Sequence, residues 1–415
     1  MRSLVDVVAP PRLGHGFRWL LASSWVSNVG DGLALAAGPL LVASRTDDPF
    51  VVALAALLQW LPPLVFGLWA GVVTDRVDRR RLVVAVDTAR CVVLALLALA
   101  VVTDVASIAL VLAAMFLLGT AETFADNATS SILPMLVRRD DLVLGNARLQ
   151  AGFVTLNQLA GPPLGAALFA AGQAWPFAAQ AVLVAFAVLL VARVALPAPE
   201  RQGGPRPHVL AEMREGVVWV WRHAAVRTLV LTIFVFNWTY GAAWSVLVLY
   251  ATQRLGLGAV GFGLVTTVIA AGGLLGTLSY GWITRRVSLA TLMRVGLIIE
   301  TFTHLGLALT TTPWVALVIF FVFGAHAFVW GTTSVTIRQR AVPTLLQGRV
   351  GAVYVVGVYG GLVIGAAIGG ALAQHVGITA PFWFAFVGSA VFVVLIWHQL
   401  RHIAHADARP GPADA

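Results

Sequence analysis

The stretch Gly71-Val-Val-Thr-Asp75-Arg76-Val-Asp78-Arg79-Arg80-Arg81 places six charges in the seven residues from Asp75 to Arg81. An apolar run flanks it on each side, from Val51 to Val73 and from Leu82 to Val102. About 20 apolar residues, at ~1.5 Å rise each, cross the ~30 Å hydrocarbon core of a bilayer, and both runs are that long. The charges therefore form a tight turn between two membrane helices. Four arginines in so short a loop also fix its side, because Lys and Arg accumulate in cytoplasmic loops.

Composition extends this reading to the whole chain. Of 415 residues, 59% are hydrophobic and 11% charged, with a mean hydropathy of +0.89. A soluble domain carries about 25% charged residues, so the chain reads as a polytopic, all-α integral membrane protein. It has no Lys, and all 27 basic residues are Arg. They cluster between apolar spans, where they orient the chain and meet anionic lipid heads. The net charge of +9 therefore does not signify nucleic-acid binding. The single cysteine, Cys91, excludes an internal disulfide and a Cys-cluster metal site.

Twelve spans are expected, at 18–43, 51–73, 82–102, 106–129, 147–171, 175–196, 228–252, 259–283, 289–311, 314–337, 348–374 and 378–400. They form two six-helix bundles, 18–196 and 228–401. Residues 1–17 are an N-terminal tail, and the first span is too long for a signal peptide and is retained. Residues 197–227 are a linker that opens with Pro and Gly and turns amphipathic from His208 to Arg222, which reads as a short surface helix. Residues 402–415 are a Pro- and Ala-rich tail, expected to be disordered. With the N-terminus inside, the outer loops hold only Arg45 and Arg254, while Arg76, Arg79, Arg80, Arg81, Arg138, Arg139, Arg285, Arg286, Arg338, Arg340 and Arg349 lie inside. An even span count puts both termini in the cytoplasm.

The chain also repeats itself. Gly71-Val-Val-Thr-Asp75-Arg76-Val returns as Gly281-Trp-Ile-Thr-Arg285-Arg286-Val, at an offset of 210. Asn28 and Gly32 return as Asn237 and Gly241, at 209. Gly161-Pro162-Pro163-Leu164-Gly165-Ala166 returns as Gly365-Ala366-Ala367-Ile368-Gly369-Gly370, at 204. Three matches in one order at nearly one offset indicate two parallel halves.

The Gly-x-x-x-Asp-Arg-x-x-Arg-Arg turn between spans two and three resembles the loop signature of the major facilitator superfamily. In that family the Gly allows close helix approach, the Asp faces the partly positive start of helix eleven, and the arginines pair with nearby acids. The resemblance maps Gly71, Asp75, Arg76 and Arg80 onto these gating roles and offers Asp126, near the inner end of span four, as an acid. Asp78 stands where the family has Gly. Gly161-Pro162-x-x-Gly165 resembles the antiporter signature of span five, with Asn157 and Ala166 in place of two glycines, and implies close helix packing with Gly365 and Gly369 as the counterpart. Met115-Phe-Leu-Leu-Gly119 lacks the Arg of the family's span-four signature, so the proton-relay role of that Arg does not transfer. Ser27-Asn28-Val-Gly30-Asp31-Gly32, Asp75 to Arg81, and Leu142-Val-Leu-Gly-Asn146-Ala147 resemble the bacterial macrolide and enterobactin-type exporters. That branch implies a monomeric transporter of the bacterial cytoplasmic membrane, working by alternating access, that exports a bulky, largely apolar molecule against protons. A same-fold importer or lipid flippase, a membrane sensor and a membrane enzyme are the alternatives.

Ionisable groups inside spans are costly and mark function. Asp31 lies midway along span one with no basic residue on its helix between Arg18 and Arg45, and is the first candidate for proton coupling. Its structural alternative is a bridge between helices, through Asn28 or Arg90. Glu300, with His304 one turn on, and Glu122 are the other candidates. Asp87 and Arg90, three apart, form an ion pair. Candidate cavity residues are Asn28, Asn157, Gln158, Asn237, Trp238, Tyr240, Trp244, His304, His326 and Trp330. His398, His402 and His405 share a helix face, but no metal or other cofactor is expected. Without Lys no Gly-x-x-x-x-Gly-Lys-Ser/Thr loop exists, so energy comes from a gradient, and no nucleophile motif marks an enzyme.

The arginine bias makes topology testable. In a Cys91→Ala background, a cysteine at Thr46 should react with an impermeant thiol reagent on intact cells and one at Thr74 should not. The reverse pattern would invert the topology.

Overall fold

The structure is a computed structural model, and it describes residues 10–196, 209–343 and 346–400. The described residues are helical nearly throughout, with no strand among them. Hydrocarbon offers no hydrogen-bond partner, so a helix, which pairs its own N–H and C=O groups, is the solution for a spanning segment. Eight helices are long and apolar enough to cross a membrane: Pro11–Ala43, Pro49–Arg76, Arg79–Val102, Ile108–Leu136, Ala259–Thr284, Leu289–Leu309, Pro313–Ala341 and Gln347–His375. The places expected for spans six and twelve hold apolar helices of 17 residues, Trp175–Val191 and Ala380–Ile396. Span five is divided into Leu142–Gly152, a wide-turn π stretch Phe153–Ala160, and Gly161–Ala171. The place expected for span seven holds Ala224–Trp244, followed by a short turn and a π stretch Tyr250–Arg254. It meets the requirement of length and hydropathy only together with the bent helix before it, so eight or nine of the twelve expected spans are met among the described residues. The first nine residues, 197–208 and everything from 401, with His402 and His405, lie outside the described residues.

Local chemistry starts and stops these helices. Asp78 caps Arg79–Val102, its carboxylate accepting from the Arg81 N–H at 2.9 Å, so the turn needs no glycine. Ser107 caps Ile108–Leu136 and Ser288 caps Leu289–Leu309. The two arginines expected outside both tie loops down. Arg45 pairs with Asp104 at 2.9 Å and donates to Gln173. Arg254 donates to the carbonyls of Ala308, Leu309 and Thr310, which the end of Leu289–Leu309 leaves unpaired.

The chain divides into two compact units. The first draws on Met1–Asp47, Leu58–Gly204 and Leu257–Thr267, the second on Asp48–Leu57, Pro205–Gly256 and Val268–Ala415. The division thus follows the linker but also runs through the starts of spans two and eight. Apolar residues on the outside, such as Val92, Leu96 and Leu99 along span three, are over half exposed and form a stripe suited to lipid.

Inside each unit, packing reproduces the sequence repeat. In the first, a Cβ on Gly32 would lie 2.9 Å from the Gly161 Cα, and one on Gly165 would strike the Leu33 backbone. In the second, a Cβ on Gly365 would lie 3.0 Å from the Gly241 Cα, and one on Gly369 would strike the Ala242 backbone. Spans one and five therefore cross backbone to backbone at the same residues as spans seven and eleven. In a bilayer, where burial of apolar side chains drives nothing, such close approach is a main source of helix association. Asn28 and Asn237 repeat as well: each donates to the carbonyl four residues back on its own helix, at 2.7 Å.

Gly71 differs from its expected role, because a Cβ there meets no atom within 4 Å, and the same holds for Gly281. Thr74 is 2% exposed whereas Val77 is 46% exposed, so Val77 is the accessible position for cysteine labelling of that turn.

Gly165→Val should destabilise the protein by about 1–3 kcal/mol or more, since backbone on the far side cannot yield. Gly281→Ala should raise stability by up to about 1 kcal/mol through helix propensity. Thermal unfolding in detergent measures both, and equal behaviour of the two variants would contradict the seam.

Candidate functional site

Two polar clusters lie within the helices, one in each unit. The first centres on Arg90 of span three, which is 3% exposed. Its guanidinium bonds the carboxylate of Asp31 on span one and, at 3.0 Å, that of Asp87 one turn back on its own helix. Gln180 on span six donates to Asp31 at 3.2 Å, and Ser27 to its other oxygen at 3.1 Å. Asp31 therefore has both oxygens engaged, by groups from three helices. The sequence pairs Asp87 with Arg90, and the structure makes that pair one arm of a triad. The bridging alternative for Asp31 is realised through Arg90, while Asn28 turns back onto its own helix.

Span four adds Glu122 and Asp126, both within electrostatic reach of Asp31 and Arg90. Among the described residues neither has a hydrogen-bond or ion-pair partner. The implied pairing of Asp126 with Arg76 or Arg80 is not formed. Arg80 donates instead to the Val194 carbonyl at 3.0 Å, and Asp75 pairs with Arg79 at 3.4 Å on an exposed turn. Asp31 and Asp87 touch the Arg90 guanidinium, while Glu122 and the exposed Asp126 stand further off. Like charges at such density repel one another.

The second cluster is aromatic. Tyr240 and Trp244 stack at 4.4 Å on span seven, and Phe323 of span ten packs on Trp244 at 4.6 Å. His304 is fully buried with its ring edge to Trp244 at 6.1 Å. His326 lies 4.0 Å from Glu300 and 5.5 Å from Phe323. Both ring nitrogens of each histidine lack a hydrogen-bond partner, as does the Trp330 indole N–H. Gly296 on span nine leaves the space that Trp330 and His326 occupy. Thus Tyr240, Trp244, Glu300, His304, His326 and Trp330 come together. Trp238 packs on Phe234 at 5.3 Å, and Asn237 is satisfied on its own helix. Asn157 is buried on the seam of spans one and five and accepts from Gln158 at 2.6 Å.

Gln180 and Phe323 escape a reading of the sequence. Gln180 had a signal, as a polar residue in the apolar run 175–191, whereas Phe323 had none among so many apolar neighbours. Among the described residues no group of three His, Cys, Asp or Glu side chains is placed to hold a metal ion.

A bundle of apolar helices with paired charges inside and a repeated half defines a membrane transporter of the major facilitator type. The chain belongs to the transmembrane secretion effector family of that superfamily, whose model matches residues 7–412. It is 27% identical over 387 residues to the multidrug efflux pump Tap of Mycolicibacterium fortuitum, covering 88% of this chain and 90% of that one. It is 25% identical over 417 residues to the enterobactin exporter EntS of Shigella dysenteriae, covering 96% of each. Among solved structures, the nucleoside transporter NupG matches 94% of the chain at a TM-score of 0.72 and 13% identity. A bacterial homologue of the iron transporter ferroportin matches 98% at 0.70 and 16%. These two likenesses concern the fold alone. The protein is a multi-pass membrane transporter acting on small molecules, and not an enzyme.

Removing the arginine should be costly. Arg90→Gln leaves Asp31 and Asp87 buried without their cation, a loss of about 3–5 kcal/mol when a buried pair is broken from one side. Asp31→Asn should recover part of that loss in the double variant. A wild-type melting curve for Arg90→Gln would show that the triad does not hold the first unit together.

Proposed function

We propose that this transporter exports a bulky, largely apolar molecule by alternating access and proton antiport, as a monomer in the bacterial cytoplasmic membrane with both termini inside. The observation that carries the proposal is the excess of carboxylates around Arg90. Glu122, which like Asp126 has no partner in that cluster but is less exposed than Asp126, is the proton carrier, and the Asp31–Arg90 pair is the switch it acts on. With Glu122 neutral, Arg90 is held by Asp31 and Asp87. When Glu122 loses its proton, a third carboxylate competes for Arg90 and the bond between spans one and three weakens. Glu300 beside His326 is the counterpart in the second unit. The halves 18–196 and 228–401 are the moving bodies, and the turn with Asp75, Arg76 and Arg80 gates them, with Asp126 as its acid in another state.

The aromatic cluster suits an apolar substrate. Tyr240 and Trp244 offer flat, half-buried faces, and the unpaired ring nitrogens of His304 and His326 offer hydrogen bonds to a few polar atoms of a bulky molecule. The export direction rests on the relatives, since Tap is named as an efflux pump and EntS as an exporter.

The test is substrate-dependent proton movement in proteoliposomes. Glu122→Gln should insert and bind substrate with wild-type affinity but lose transport driven by a pH gradient, a drop of at least tenfold. Asp31→Asn should lose coupling and also some stability. If both variants transport at the native rate with the native pH dependence, the antiport assignment is wrong.

A further inference from the structure

The helix Val209–Arg222 plays no part in the transport scheme, yet its two faces are unlike each other. It meets the span Ala224–Trp244 at a bend of 109° between Met213–Arg222 and that span. If the span crosses the bilayer, the helix runs along the membrane plane. The corner is fixed by a hydrogen bond and a ring stack: Arg227 donates to the Trp221 carbonyl at 2.9 Å, and the His223 ring stacks on Trp219 at 3.7 Å.

One face is docked on the protein. Gly216 lies against the Arg349 backbone, Val220 is buried with Val226, Val342 and Val350, and Glu215 pairs with Arg349 at 2.6 Å. The opposite face carries Arg214, Val217, Val218, Trp221 and Arg222, joined by three- and four-residue spacings. All five are exposed, with Trp221 at 60%. Val217, Val218, Trp221 and Arg222 line an open groove of about 460 Å³. Among the described residues Glu215 is the carboxylate at its margin, and it is paired with Arg349. A Trp and two Val flanked by two arginines, on a helix lying in the membrane plane, match an interface with apolar chains below and anionic groups around it.

We propose that this face is a binding site for anionic phospholipid in the leaflet beside it, with Val217, Val218 and Trp221 set among the acyl chains and Arg214 and Arg222 on the headgroup phosphates. Because the other face grips Arg349 at the start of Gln347–His375, lipid on one side of the helix holds the base of span eleven on the other. The site is independent of what the transporter carries.

The experiment uses the full chain, Cys91→Ala, with a bimane label on Val218→Cys. It is reconstituted in vesicles of phosphatidylcholine alone, or of phosphatidylcholine and phosphatidylglycerol at roughly three to one. The label should be shielded from aqueous iodide and quenched more by brominated phosphatidylglycerol than by brominated phosphatidylcholine. One arginine near an anionic surface contributes about fivefold, so Arg214→Gln with Arg222→Gln should lower the lipid preference on the order of twentyfold. The Lys double variant should keep it, which separates charge from misfolding. Free access of iodide in both vesicles would overturn the proposal, as would equal quenching by the two brominated lipids. Iodide protection that grows with protein concentration in lipid-free detergent would also overturn it, by assigning the face to a second copy.

Discussion

Hydrocarbon supplies no hydrogen-bond donor, acceptor or counter-ion, and this constraint governs what each helix does here. Backbone groups are paired within helices, and where a helix ends, a side chain takes over. Arg254 gathers the carbonyls at the end of Leu289–Leu309, and Asp78 receives the Arg81 N–H at the start of Arg79–Val102. A guanidinium placed among apolar spans must bring its anions with it, so Arg90 draws in Asp87 from its own turn and Asp31 from another helix. Ser23 of span one likewise reaches the Ala187 carbonyl on span six at 2.8 Å.

Much of this was legible along the chain, because length and hydropathy are local properties. The charged turn from Asp75 to Arg81, the apolar runs beside it, and the returns of Gly32, Gly161 and Gly165 as Gly241, Gly365 and Gly369 can be read without a fold. The same glycines then mark where helices cross. Other features depend on which helices are neighbours, and no local pattern states that. Asp31 reads as an acid without a cation on its own helix, and only the neighbouring of helices decides that Arg90, 59 residues away, and not Asn28, is its bridging partner. Gln180 completes the site from 149 residues away. Glycine at position 71 reads as a packing residue by resemblance, yet nothing lies near it, while Asp78 replaces a glycine by capping a helix instead.

The two units repeat their seams but not their chemistry. Asn28 and Asn237 make the same bond, and the Gly32 and Gly241 crossings are alike. Around these shared frames one unit gathers carboxylates on an arginine, and the other gathers rings and imidazoles on Glu300. A duplicated scaffold can diverge in this way because the crossing is made by backbone and absent side chains. The residues on other faces are then free to change without disturbing it.

That crossing has a geometric corollary. Where two backbones touch through glycine, no side chain, water or solute fits between them. The pairs Gly32–Gly161 and Gly241–Gly365 are therefore walls without a door. Any molecule that traverses this protein has to find its route along other helix faces, and each welded pair can only travel as one piece.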